Sequence, residues 1–441
     1  MFLYAADARL VNSNRIVEGS FESFQIKNLS AGCVLWLPDQ FTTCKSETTR
    51  FRIEIKRPAV DDAAICTFEW DASRGVSFSR LWSGEFGILY ATDPCVIVAS
   101  QAKLAVRMLK HDVRLQKLAA GSTAQISLEE GGSRTLTFQP HLSFATRRPE
   151  HPKLSSYEET LRKVRRLVTE SVRRLAKPNT AHLLSGGIDS SIIAAVALSV
   201  GCPLRTFTFA MRRPPRPESG SGSDVVAARG VAKWLGIPHR VIEVDRARLS
   251  KNIPLAIYLA ETSRGTIVDE LVAHIEVARI LADEGIDRIL TGAGADDLFG
   301  AFPFALRYFR GLQLRAHLQE ALLGALPDEL ALMQSIYSAW GISLVHPYWT
   351  KDLRTIGYHL PLRYRIDRQR LMKRVLRDAF AGLLPPAILE RPKGVPRDCS
   401  QIRHVLEQEF GRSPHRYRAI FHKMMLRGSR WQPKLNPPPC G

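Results

Sequence analysis

Between residues 180 and 292 the chain alternates short apolar runs with longer amphipathic ones, and this constrains its fold more than any other feature. "AHLL" precedes "DSSIIAAVALSV", "LRTFTFAM" precedes "DVVAARGVAKWLG", "HRVIEV" precedes "VDELVAHIEVARILADEG", and "DRILTG" closes the series. Strands taking turns with helices in this way predict a parallel sheet with helices on both faces. Residues 305–390 read as helical, which makes a helical C-terminal part.

The rest of the chain is organised around that unit. Residues 1–146 read as β-rich, with short apolar runs such as "CVLWLP", "AICTFEW" and "FGILYA" separated by Gly, Asp, Pro and Ser turns. Residues 147–154 read as a linker, 155–428 as the second domain, and 429–441 as a proline-rich tail. Ser156 with Glu159 forms a capping-box pattern, followed by Tyr157, Leu161, Val164, Leu167, Val168, Val172 and Leu175 at helical spacing. The stretch 211–224, "MRRPPRPESGSGSD", interrupts the α/β series and reads as a loop, with a lid and a plain insertion both open.

Composition adds limits. No run of eighteen or more apolar residues occurs, so no membrane span is expected. The first twenty residues lack a secretory pattern, and the seven cysteines are scattered and odd in number, which points to reduced thiols and a cytoplasmic setting. The net charge of +19 admits nucleic acid, a membrane surface, nucleotides or acidic peptides as partners. The basic residues are spread widely, without interleaved aromatics, so a nucleic-acid partner is not expected.

Chemistry is concentrated in "HLLSGGIDSSIIAA", residues 182–195. It fits neither the GxxxxGK[ST] nor the GxGxxG phosphate cradle. Gly186 and Gly187 allow backbone to approach an anion, while Ser185, Ser190 and Ser191 offer hydroxyl donors. The helix that opens there presents free N–H groups to the anion. An aspartate in such a cradle would repel its ligand unless a cation sits between them, which makes Asp189 a candidate Mg²⁺ ligand.

"LLSGGIDSS" resembles the pyrophosphate loop of the N-type ATP pyrophosphatases, and most of all that of the asparagine synthetase branch. "ILTGAGADDLFGAF" (289–302) and "LLPPAILERPKGVPRD" (383–398) resemble two further segments of that family, in the same order. The resemblance covers roughly residues 155–400 and implies an adenine nucleotide alpha hydrolase-like fold. It implies ATP and Mg²⁺ as cofactors, a carboxylate activated as an acyl-adenylate with loss of pyrophosphate, and attack by an amine. Residue by residue, it makes Asp296 the second Mg²⁺ ligand, Asp297 the acidic position after it, and Lys393 the lysine that balances charge at the α-phosphate. Gly292 joins the ATP-binding set, and Thr208 lies in the strand whose backbone meets adenine; Arg391 is a secondary candidate. Asp224 matches an acidic position that helix capping also explains.

The departures from the family narrow the choice. Glutamine-using members carry a nucleophilic cysteine at position 2, where this chain has Phe2, yet residues 82–109 still resemble the glutaminase half. The front domain is therefore expected to be a degenerate, Ntn-type α+β scaffold without that chemistry. The β-lactam synthetases use a Tyr–Glu pair that would fall at Ala293 and Ser343, and the asparagine synthetases have glutamate at both places. His346 and Tyr348 read as packing residues. What is left resembles the lasso peptide cyclases, whose precursor peptide supplies both the carboxylate and the amine. This implies a precursor peptide as substrate, with a leader-binding protein and a leader protease as partners. A small-metabolite amide or lactam ligase, a glutamine-independent asparagine synthetase-like enzyme, a non-catalytic adapter and a tRNA-modifying relative are the alternatives.

Overall fold

In the computed structural model the described residues are 2–5, 25–29, 32–36, 42–46, 50–56, 64–71, 73–80, 88–91, 97–100, 115–118, 121–128, 134–140, 156–202, 204–212, 224–300, 308–322, 326–367, 372–391 and 402–425. The chain divides into two compact units. Unit 1 comprises residues 1–147 with 323–332 and 422–431; unit 2 comprises 148–322, 333–421 and 432–441. Two segments distant in sequence thus group with the front unit, which a reading of contiguous domains does not anticipate.

Unit 1 is built from antiparallel strands: β1 (Phe2–Ala5), β2 (Gln25–Leu29), β3 (Gly32–Trp36), β4 (Thr42–Ser46), β5 (Arg50–Lys56), β6 (Ala64–Asp71), β7 (Gly75–Arg80), β8 (Leu89–Ala91), β9 (Ile97–Ala99), β10 (Gln116–Lys117), β11 (Ser122–Leu128) and β12 (Arg134–Pro140). They form two sheets, ordered β10-β8-β9-β1-β3-β2 and β12-β11-β7-β6-β5-β4. Alternation does the folding here. Phe68, Phe78 and Ala124 lie in one cross-strand row, and Trp70, Val76 and Ile126 in the next, all of them buried. Phe2, where the resemblance to glutamine-using enzymes leads one to expect a cysteine, is the first residue of β1 and pairs with Trp36 of β3.

Unit 2 contains a five-stranded parallel sheet: β13 (Thr180–Leu183), β14 (Arg205–Met211), β15 (His239–Val244), β16 (Arg288–Leu290) and β17 (Ser343–Val345), in the order β15-β14-β13-β16-β17. Its helices include α1 (Tyr157–Leu175), α2 (Ile188–Ser199), α3 (Asp224–Leu235), α4 (Arg246–Ala260), α5 (Gly265–Asp283), α6 (Ala295–Phe299), α7 (Gly311–Glu320), α9 (Lys351–His359), α10 (Leu362–Arg365) and α11 (Arg374–Ala379), while α8 (Leu326–Ser338) is divided between the two units. The expected alternation is present. Two elements depart from the sequence reading. α4 forms despite Pro254 inside it. β17 interrupts the stretch read as helical, because three residues are too few to show a strand period.

The strand order positions the site. From β13 the chain moves outward to β14 and β15, then returns to the other side of β13 with β16 and β17. The order reverses between β13 and β16. In open α/β sheets, ligands bind in the crevice beyond the C-terminal strand ends at such a reversal. The two glycine-containing motifs follow β13 and β16. No helix among the described residues is long and apolar enough to cross a membrane.

Candidate active site

The first turn runs from Leu184 to Asp189. Leu184 N still bonds to Phe207 O at 2.8 Å, so the strand extends to the edge of the loop. Gly186 then takes φ +70, and a Cβ there would lie 2.4 Å from the backbone carbon of Ala227 and 2.5 Å from Ala228 N. Only glycine can turn left-handed against the α3 backbone at that distance. Gly187 is the N-cap of α2, has an ordinary φ of −75, and lacks a side-chain cap. Ser185 and Ser190 brace the loop: their hydroxyls are 3.1 Å apart, Gly187 N donates to Ser185 Oγ at 3.3 Å, and Ser190 Oγ donates to Gly187 O at 3.2 Å. Ser191 faces inward, fully buried, and its hydroxyl has no partner among the described residues.

The second turn runs from Thr291 to Asp296. Thr291 N donates to Val345 O at 3.1 Å, and Thr291 Oγ1 lies 2.7 Å from His346 Nδ1, tying the ends of β16 and β17 together. His346, read as packing, thus closes the turn from behind. Ala293 N donates to Thr291 Oγ1 at 3.3 Å, and Gly294 N-caps α6 at φ +88. Ser343 is buried at the start of β17, two residues before Val345. A Cβ at Gly292 would lie 3.0 Å from the Asp189 Cβ, so the two turns touch.

α6 is five residues long and is stopped by a remote arginine. Arg365, the last residue of α10 (Leu362–Arg365), is 2% exposed. Its Nη1 donates to Asp297 O at 3.0 Å and Leu298 O at 2.7 Å, and its Nη2 donates to Gly357 O. Burial lowers its pKa to about 10, still charged at neutral pH. Asp297 belongs to this scaffold through its carbonyl.

Both turns deliver a carboxylate to one lysine. Lys373 Nζ contacts Asp189 Oδ2 and lies 2.7 Å from Asp296 Oδ1, with its side chain 4% exposed. Lys373 is the N-cap of α11 (Arg374–Ala379) and sits at φ +63, a left-handed conformation uncommon for lysine and worth reading as a functional signal. The sequence reading missed it. One lysine among 62 basic residues has no local signature, and only counting charge around two facing carboxylates could have flagged it. The same cluster suits a divalent cation. Asp189 Oδ1 is buried without a hydrogen-bond partner among the described residues, and Asp296 lies across the same lysine. Two carboxylates with phosphate oxygens and water suit Mg²⁺. No group of three or more His, Cys, Asp or Glu suited to a metal occurs among the described residues.

Other contacts hold the first turn from several sides. Tyr348 OH donates to Asp189 O at 3.0 Å; it is fully buried, and burial followed by the Asp189 charge raises its phenol well above the usual range. His182 on β13 places Nε2 2.8 Å from Ser190 O and Nδ1 3.0 Å from Leu290 O, and burial lowers its pKa to about 4. The neutral ring has one N–H and two carbonyls to serve. Thr208 Oγ1 donates to Leu184 O, so its hydroxyl supports the strand end of the loop. Arg391 donates to Ser185 O at 3.3 Å and to Asp224 Oδ1 at 3.2 Å, joining the third motif to the first. Asp224, the first residue of α3, thereby has an ion-pair role. Lys393 and residues 213–223 of the predicted loop lie outside the described residues.

A model of the asparagine synthase family matches residues 163–335 and 312–427, more than half of the chain. Among curated relatives, a probable glutamine-hydrolyzing asparagine synthetase of Acanthamoeba polyphaga mimivirus is 28% identical over 261 residues, covering 56% of this chain and 45% of its own. Asparagine synthetase B of Escherichia coli K12 is 26% identical over 224 residues (48% and 39%). The carboxyethyl-arginine beta-lactam-synthase of Streptomyces clavuligerus is 28% identical over 282 residues (63% and 50%). The chain spans about half or less of the length of these relatives.

Proposed function

The chain belongs to the asparagine synthase family, and we propose that it is an ATP-dependent C–N ligase that closes a macrolactam ring in a lasso peptide precursor. The observation that carries this is the meeting of Asp189 and Asp296 on Lys373 beyond the strand ends where the sheet order reverses. An aspartate pair with an adjacent lysine, beside a helix N-terminus, suits a polyphosphate that leaves as a unit.

The reaction has two steps. A carboxylate oxygen of the peptide attacks the α-phosphorus of ATP, the bond to the β-phosphate oxygen breaks, and pyrophosphate leaves. The peptide's amine nitrogen then attacks the acyl carbon, the acyl–oxygen bond breaks, AMP leaves, and the nitrogen gives up a proton. Mg²⁺ held by Asp189 and Asp296 would neutralise phosphate charge. The first turn of α2 offers N–H groups to the β-phosphate region. Lys373 holds the two carboxylates together and sets a positive charge beside the departing pyrophosphate. Lys393 would serve the α-phosphate, as the family resemblance implies.

Three positions favour an amine carried by the substrate. Phe2 brings no thiol to release ammonia from glutamine, and Ala293 and Ser343 bring no acid–base group. A peptide α-amine titrates near pH 8 and is partly neutral at pH 7, so it places a small demand on a general base. A leader-binding protein and a leader protease are the expected partners.

The test combines the purified protein with a precursor peptide, those partners, ATP and Mg²⁺. Expected are AMP, pyrophosphate and a product lighter than the cut peptide by one water. ADP in place of AMP would sink the mechanism; amide formation on a small amino carboxylate, with precursor left unchanged, would move the reading to a metabolite ligase. Asp189→Ala, Asp296→Ala and Lys393→Ala should each abolish product. Lys373→Met should lower its rate by about a hundredfold or more, on the scale of losing one preorganised charge.

A further inference from the structure

Away from the carboxylate cluster, at the free edge of the parallel sheet, lies a groove that the ligase reading does not use. Two cavities, of about 370 Å³ and about 220 Å³, share Arg229 and Val241 and run along β15 beside α3. β15 is an outer strand, hydrogen-bonded to β14 on one side and to no strand among the described residues on the other. His239, Val241 and Glu243 project to the groove at the two-residue strand period. A six-residue edge without proline or bulge is open to pairing with another chain.

The helix wall is polarised. Val225, Ala228, Val231 and Ala232 are buried on the core side of α3. Val226, Arg229, Gly230, Lys233 and Trp234 follow the i, i+3, i+4, i+7, i+8 pattern and share the outer face. Val226 is 50% exposed and Trp234 63%. Gly230 has nothing within 4 Å of where a Cβ would be, so the face is notched between them. Among the described residues neither Arg229 nor Lys233 forms an ion pair, whereas Arg212 at the far end is held by Glu243 and Asp245.

We infer that this groove binds an extended acidic peptide segment, which adds to β15 as a further strand and sets carboxylates against Arg229 and Lys233. Three features select this occupant. The open strand edge offers main-chain hydrogen bonds in line, which an extended peptide can take. The two uncompensated cations lie one helical turn apart on one wall, which suits acidic side chains at alternate positions. Ile237 and Val241 provide apolar contact beside them. Against a nucleic acid, the groove lining among the described residues carries no Phe, Tyr or Trp on which a base could stack. The groove also reaches inward. His239 lies 3.4 Å from Thr208 Oγ1, which bonds Leu184 O at the start of the first turn.

The experiment uses the full-length protein without ATP, so its outcome is independent of the ligase reading. The probe is fluorescein-labelled acetyl-(Glu-Val)₄-amide, followed by anisotropy, with acetyl-(Lys-Val)₄-amide as control. Saturable binding of the acidic probe is expected, with slowed hydrogen exchange at His239–Val244. The Arg229→Glu/Lys233→Glu variant alters two exposed side chains; it should keep its thermal midpoint and bind at least about tenfold more weakly. No saturable binding overturns the inference. So do equal binding by the variant, protection confined to other segments, or equal affinity for the basic probe. A dT₈ oligonucleotide that binds more tightly, and loses its binding in the same variant, would reassign the groove to nucleic acid.

Discussion

The two turns that meet at Lys373 do similar work by different means. The turn after β13 is held largely by its own residues: Gly186 makes the bend, Ser185 and Ser190 brace it, and α2 continues for 12 residues of apolar core. The turn after β16 leads into a five-residue helix, too short to sustain itself, and is held by His346 and Arg365 from far along the chain. A carboxylate can thus be positioned by a local motif or by a remote clamp, and one lysine joins the results.

The largest effect should come from removing the clamp. Arg365→Met keeps a chain of similar length but leaves the carbonyls of Asp297, Leu298 and Gly357 buried without that donor. A stability loss of about 4 kcal/mol is expected, because hydrogen bonds from a charged donor are worth on the order of 1.5–3 kcal/mol each, while Gly357 O keeps Leu360 N as a donor. Urea unfolding measures it. A loss below about 1 kcal/mol would show that the second turn holds itself, and the contrast would fail.

His182 links the turns directly, through Ser190 O on one side and Leu290 O on the other. Its folded pKa of about 4 lies below the ordinary 6.5, chiefly because burial penalises the charged ring. Between those values the unfolded chain binds more protons, so stability rises with pH across the window and is lost as pH falls through it. The shift corresponds to about 3 kcal/mol. His274, also lowered to about 4 by burial, adds a similar dependence. Urea midpoints at pH 7 and pH 5 should therefore converge in His182→Gln relative to the parent while keeping the share due to His274. An unchanged pH slope in the variant would remove His182 from the account.

Within the first turn, the two glycines should separate. Gly186→Ala forces a Cβ against the Ala227–Ala228 backbone at positive φ, and about 2 kcal/mol of stability should go with it. Gly187→Ala has an ordinary φ and meets only Ser185 Oγ, at 3.4 Å. It should cost less than about 1 kcal/mol, while nucleotide affinity drops because the methyl stands at the mouth of the anion cradle. Equal losses would show that the loop is constrained as a whole.

This difference between the turns also decides what could be read from the sequence. Gly186, Asp189 and the flanking strand and helix were legible because their constraints lie within a few residues of one another. The strand alternation that puts the motifs at the reversal point was legible for the same reason. Lys373, Arg365 and Tyr348 act on residues 184, 68 and 159 positions away, so nothing next to them announces a role. β17 was hidden by its length and by sequence neighbours that read as helix, while His346, just after it, was legible as a packing residue but not as the partner of Thr291. Ser191 shows the reverse case: a residue inside a clear motif whose hydroxyl turns away from the ligand face and into the core.

The smallest effect tests one remote contact on the first turn, beside those from Arg391 and Lys373. Tyr348→Phe deletes the hydroxyl that donates to Asp189 O at 3.0 Å and keeps the ring that meets Phe299 edge-on at a centroid distance of 6.1 Å. Packing should survive, because the space left is smaller than a methyl group. Asp189 O lies in the first turn of α2, where it can still accept the helical bond from residue 193, so it is not orphaned. A loss of about 1 kcal/mol is therefore expected, the net worth of one neutral hydrogen bond. If the turn is locally determined, ATP–pyrophosphate exchange should fall less than about fivefold. A hundredfold fall with unchanged stability would mean that Tyr348 sets the direction of the Asp189 carboxylate, and the first turn would then rest on a remote clamp as the second does.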